Sequence, residues 1–275
     1  MTLWMRSTPL AEIATSHYRN SVIAVCLLGL LASALSFFLQ VGAFNENGLT
    51  GMFELEMILL LWETPIGTST VYRVSGIIVL LLTFLAATFN NSISVKSTIL
   101  WAALGTSYLI GTCMSVLSFS LVGHTTESGL APQLFISLHV CAAFWWIGSL
   151  YSLWFSCRTQ NINELQSHLY QFGRAANIVV IMLVGAGFFL IIQLVGSVQA
   201  MLNTAYGLSL SLKLMLVTAI LLIAIHHKYR LVPKLVSTSS VRTLAQSIKW
   251  EGTIAIAILF LTAILSTVLG PETII

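Results

Sequence analysis

Long apolar runs alternate with short polar connections along this chain, a pattern that predicts helices crossing a bilayer. A spanning helix needs about 20 mostly apolar residues. Seven runs qualify, over about residues 21–43, 72–90, 98–122, 133–156, 175–198, 208–228 and 250–269. A further apolar stretch, Met52 to Trp62, is too short to span and is interrupted by Glu54, Glu56 and Glu63. It predicts a helix lying on the surface or dipping in from it. The expected fold class is therefore all-α: a polytopic transmembrane helical bundle of seven spans with a short outer interfacial helix. The whole of residues 1–275 is expected to form a single integral membrane domain.

Composition agrees with that pattern. The chain is 57% hydrophobic and 8% charged, whereas a soluble domain carries roughly 25% charged residues. Charge also orients the bundle, because Lys and Arg accumulate on the cytoplasmic side. Alternating the loops places Arg6, Arg19, Lys96, Arg158, Arg174, Lys228, Arg230, Lys234, Arg242 and Lys249 on one side, ten of the twelve basic residues. The other side receives Glu46, Glu54, Glu56, Glu63, Glu127 and Glu272, six of the nine acids. The expected topology is N-inside and C-outside, with residues 1–20 cytoplasmic. The basic inside loop, about residues 228–249, suits anionic lipid head groups of the bilayer.

Several functions are excluded as expectations. No G-x-x-x-x-G-K-[ST] sequence is present and no soluble stretch is long enough for a nucleotide-binding domain, so neither nucleotide binding nor enzymatic activity is expected. The basic residues are dispersed between spans, which argues against a nucleic-acid partner. Cys26, Cys113, Cys141 and Cys157 form no C-x-x-C pair, so a disulfide framework or zinc ribbon is not expected. The N-terminus has no short apolar core with a small-residue cleavage site, so no cleaved signal peptide is read there.

The chemistry-bearing positions are few. His139 lies roughly seven residues into the fourth run, about 10 Å deep at 1.5 Å per residue. An ionisable or ligating side chain in a span is costly and marks a candidate functional site. His124 ends the preceding run, so both imidazoles fall near the outer face. Ala142 and Ala143 follow His139 at i+3 and i+4, with Trp146 at i+7, and the small residues admit a neighbouring helix. His139 reads either as a ligand or as a structural histidine satisfied by a serine or backbone carbonyl next door. Cys113, Met114, Cys141, Met52 and Met57 add soft donors, and thioether, thiolate and imidazole together suit Cu(I). Met and Cys are also ordinary apolar fillers. Cys141 lies about 200° round the helix from His139, which separates the two. His226 and His227, followed by Lys228 and Arg230, read as an interfacial basic cluster that snorkels to the head groups. Lys213, inside the sixth run, and Arg73, opening the second, each have Glu63 as a candidate partner, while Glu251 sits at the inner edge of the seventh run.

Six segments in order resemble one family, the CopD (PcoD-like) copper resistance and copper uptake membrane proteins. They are Gly123-His124-Thr125; Leu138-His139 through Ala142-Ala143, Trp146, Gly148 and Leu150; Phe172-Gly173-Arg174; Tyr206-Gly207 through Lys213; Lys228-Tyr229-Arg230-Leu231-Val232-Pro233; and Glu251 through Leu265 and Pro271. The resemblance covers about residues 20–271 and implies an inner-membrane protein of copper homeostasis, working beside a small periplasmic copper-binding (CopC-like) partner. Family members commonly have eight spans, and the resemblance leads to the expectation that the usual first span has no counterpart here, the sequence starting near its cytoplasmic end. The resemblance supplies the metal, a copper ion as Cu(I), and depth and side supply the site. Together they predict His124 and His139 as outer ligands, with Met114 and Met57 as weaker ones, in a bundle that moves copper inward across the cytoplasmic membrane. An alternative is a haem-binding electron-transfer protein with His139 as axial ligand, although no second span histidine lies at that depth. A third reading, a retinal-type receptor on Lys213, meets an N-inside orientation and a chain without any Asp.

Overall fold

The computed structural model describes residues 9–45, 48–93, 98–122, 129–194 and 198–267, and among them the regular structure is helical, with no strand. In chain order the helices are α1 (Pro9–Phe44), α2 (Gly48–Gly51), α3 (Leu55–Trp62), α4 (Pro65–Ile93), α5 (Thr98–Leu117), α6 (Leu130–Thr159), α7 (Ile162–Leu194), α8 (Val198–Asn203), α9 (Ala205–His226) and α10 (Thr238–Thr267). A π-turn, His227–Leu231, and a 3-10 turn, Val232–Lys234, join α9 towards α10. Seven segments are long and apolar enough to cross a membrane: Tyr18–Phe44, Pro65–Phe89, Thr98–Leu117, Leu130–Thr159, Ile162–Gln193, Ala205–Lys234 and Thr238–Ser266. This is a multi-pass membrane protein.

Local chemistry explains where the helices begin. Pro65 opens α4, where its missing N–H costs nothing, and Thr64 Oγ1 caps the helix by accepting from Ile66 N at 3.2 Å. Thr204 Oγ1 caps α9 through Gly207 N at 3.0 Å. At α10, Ser240 Oγ accepts from Ser237 N at 3.1 Å while Ser237 Oγ faces Ser240 N at 3.4 Å, a reciprocal cap built from two serines. These caps move the boundaries. The second span starts at Pro65 rather than near 72, and the last helix starts at Thr238 rather than near 250. The basic loop expected over 228–249 is therefore not a loop, because turns and the first part of α10 occupy it.

The chain forms two compact units, residues 1–129 and 130–275. In the first, α4 lies against α5 at Gly76 and Gly111. A Cβ on Gly76 would stand 2.8 Å from Gly111 O, so only glycine permits this approach. Phe37, Val41 and Leu61 form a small core with Met57 and Ile66 against it. In the second unit, α6 packs on α7 and α10, and α10 on α9. Trp146, Leu150, Leu165, Ile220, Leu244 and Ile248 lie in its core, with Leu165 and Leu244 fully buried. Many other large apolar side chains face outward, such as Ile181 at 73% and Phe260 at 68% exposure. Soluble monomers rarely expose contiguous apolar surface of that extent; lipid covers it here.

Candidate functional site

In the second unit α6 and α7 are clamped by stacked rings at two levels. Phe135 stacks on Phe189 with centroids 3.9 Å apart, and Trp145 on Phe172 at 5.2 Å and 5°. His139 lies on α6 between these levels. Its Nδ1 stands 3.1 Å from Leu183 O of α7. A carbonyl oxygen only accepts, so Nδ1 carries the proton and Nε2 keeps its lone pair. Nε2 makes no hydrogen bond among the described residues. Gly187, one turn beyond Leu183, makes the room: a Cβ there would meet the imidazole Cε1 at 3.1 Å and Nδ1 at 3.3 Å. No carboxylate among the described residues of this unit pairs with Lys213 of α9. Of the two sequence readings of His139, the carbonyl partner is present. It occupies one nitrogen and orients the other, as outer partners of metal-bound histidines do.

A second polar cluster lies in the core of the same unit. Glu251 of α10 is 3% exposed. Trp146 Nε1 donates to its Oε1 at 2.9 Å, and His227 Nδ1 lies 3.3 Å from its Oε2. His227 Nε2 lies 2.7 Å from Ser247 Oγ, one turn before Glu251 on α10. This corrects two expectations. His227 is not a cation snorkelling to head groups, since its side chain is 13% exposed and turned onto a carboxylate. Glu251 is not at the edge of its helix but well inside α10. His226, by contrast, is exposed. The signal for this cluster was a single Glu within the last apolar run. The pairing itself could not be read, because a π-turn begins at His227 and alters the helical register there.

The remaining predicted residues are dispersed. His124 lies outside the described residues. Met114 is half-buried on α5, and Met57 packs on the Phe37–Val41–Leu61 cluster. Cys113 and Cys141 are exposed and Cys157 is buried. Arg73 does not reach Glu63. Its guanidinium donates to Ser118 Oγ at 3.2 Å and Ser69 Oγ at 3.3 Å, and lies over the Phe119 ring at 4.6 Å. No group of three or more His, Cys, Asp or Glu that could hold a metal exists among the described residues.

Compared with known protein families, residues 166–265 match the model for copper resistance protein D, CopD. Over that segment the chain is similar to CopD. The matched segment contains Lys213, His227 and Glu251, and His139 precedes it. The CopD family's role is copper resistance. No curated protein and no solved structure matches the chain.

Proposed function

We propose that the chain binds copper at a site built on His139 and carries the ion across the cytoplasmic membrane of a bacterium. It acts as a carrier rather than an enzyme. The observation that carries this reading is the oriented imidazole: Nδ1 is tied to Leu183 O at 3.1 Å and the Nε2 lone pair is left for a ligand. The CopD match over residues 166–265 supports copper as the metal. Neutral imidazole is a good donor for copper. His124, Met114 and Met57 are the proposed further donors, Cu(I) the proposed state, inward the proposed direction, and a small periplasmic copper-binding protein the proposed source.

The test is metal content and optical spectrum of protein purified from copper-grown cells. Wild type is expected to hold copper without a Soret band, and His139→Ala and His124→Ala/His139→Ala to lose it. Copper unchanged by His139→Ala would remove that residue from the site, and a Soret band without copper would replace the reading with haem. Gly187→Leu provides a second test. Its side chain enters the space of the imidazole and displaces Nδ1 from Leu183 O, while leucine is the better helix former. Copper affinity is expected to fall by about 10–100-fold, the usual loss when an outer partner of a ligand is disturbed. Titration against a chromophoric Cu(I) chelator measures it.

A further inference from the structure

The Glu251–His227 cluster is not used by the copper site, and its composition is unusual for a buried pair. A buried carboxylate normally needs a permanent cation or several donors. Here the ion-pair partner is an imidazole, the side chain whose ordinary titration straddles neutral pH. Permanent cations are near in the fold but directed elsewhere. On α6, Arg158 lies over the Trp154 ring at 4.1 Å, and on α10 Lys249 lies over the same ring at 5.6 Å. From the π-turn, Lys228 donates to Asn177 Oδ1 of α7 at 2.7 Å. Arg230, Arg174 and Arg242 are exposed, as is His226 on α9, and Cys157 on α6 is a buried thiol. Among the described residues none of them pairs with Glu251.

The cluster has one dry side and one side open to a polar surface. Trp146, 7% exposed, closes the first. On the second, Ser247 Oγ bonds His227 Nε2, and Ser247 also lines an open groove with Ser239, Arg242, Thr243, Gln246 and Trp250. Hydroxyl rotation at Ser247 lets Nε2 either accept or donate, so a proton has a path between the groove and the pair. Trp146 is seven residues from His139, on the same face of α6 and about 10 Å along it. One helix therefore carries the candidate copper ligand and the donor that holds Glu251.

We propose that Glu251 and His227 form a proton-binding site that loads through Ser247 and exchanges one proton for one copper ion during transport. The exchange rests on the copper-carrier reading above. With a proton bound, the pair is neutral, as Glu⁻ with His⁺ or as a carboxyl with neutral imidazole. Without it, the core holds an uncompensated carboxylate, which is costly unless another cation is present. A Cu⁺ entering the bundle offsets that charge, and the proton leaves through Ser247 to the aqueous phase. When Cu⁺ departs, a proton returns by the same route.

Two measurements test the site and the exchange separately. Infrared difference spectra of the full chain in lipid are recorded as pH is varied over about 4 to 9, the range of ordinary carboxyl and imidazole titration. Wild type is expected to show a linked carboxyl and imidazole signal that is lost in Glu251→Gln, which preserves shape and the acceptor for Trp146. Vesicles loaded with a pH-sensitive dye are then given Cu(I). Wild type is expected to change lumenal pH as copper enters, Glu251→Gln and His227→Gln to lose that change while retaining copper bound at His139, and Ser247→Ala to slow it. A linked signal that is absent from wild type or survives Glu251→Gln overturns the proton site. Copper that enters wild-type vesicles without moving protons overturns the exchange and leaves the carrier reading intact. Copper that does not enter wild-type vesicles overturns the carrier reading and the exchange with it, while the infrared result still decides the proton site.

Discussion

Glu251→Ala lowers the stability of the protein by about 2–5 kcal/mol. The substitution removes the acceptor of both Trp146 Nε1 and His227 Nδ1. Both donors lie in a packed region where water does not readily replace the lost oxygens, and an orphaned buried donor costs about 1–3 kcal/mol. Glu251→Gln keeps an acceptor in place and loses less than half as much. The double change Glu251→Met/His227→Leu regains only the part of the loss due to His227, because apolar groups can replace the ion pair while Trp146 Nε1 still lacks its acceptor. Thermal unfolding in detergent, followed by near-UV circular dichroism, gives all three values. An alanine variant within about 0.5 kcal/mol of wild type, the range of an ordinary surface change, would show that the cluster does not form.

Gly76→Leu is the second large effect. The α4–α5 contact brings backbone to backbone, and a side chain on Gly76 meets Gly111 O and Ser115 N, each 2.8 Å from the first added carbon. These are main-chain atoms of the opposing helix, and no rotamer moves them aside. The helices must separate, with a loss of about 3 kcal/mol or more, at or above the usual range for overpacking. Separation also withdraws Ser118 from Arg73 and from Ser69, whose Oγ donates to Ser118 O at 2.7 Å. Gly105→Leu on the same α5 is the control. Nothing lies within 4 Å of its added carbon, so its effect stays within about 0.5 kcal/mol. Hydrogen exchange over α4 and α5 separates the two variants. Equal protection in both would show that the glycine contact is not the seam.

The spans were legible because a bilayer demands long apolar runs, and seven such runs became seven helices. Their ends were less legible, since caps such as Thr64 and Ser237 extend helices into polar sequence that hydropathy alone assigns to loops. His139 stood out as a lone imidazole in an apolar run. Of its two sequence readings the carbonyl partner is observed, and the second nitrogen leaves the ligand reading open as a proposal. Gly187 was not legible, because its role depends on which residue of α7 faces His139. His227 was misread for a similar reason: its partner is 24 positions away, and the charged residues that follow it, Lys228 and Arg230, suggested an interface. Arg73 was assigned the nearest Glu in sequence, whereas serine hydroxyls across the α4–α5 seam and the Phe119 ring hold it.

Arg73 has a consequence for where a cation travels. Two hydroxyls and a ring engage it but do not neutralise it, and no carboxylate pairs with it among the described residues. A cation within about 5 Å of that guanidinium meets repulsion on the order of 3 kcal/mol at an effective dielectric of about 20. The α4–α5 seam therefore works as an electrostatic fence. Met114, whose carbonyl receives Ser118 N at 3.1 Å, stands beside this fence, so under the proposed reading it is a weaker copper donor than His139.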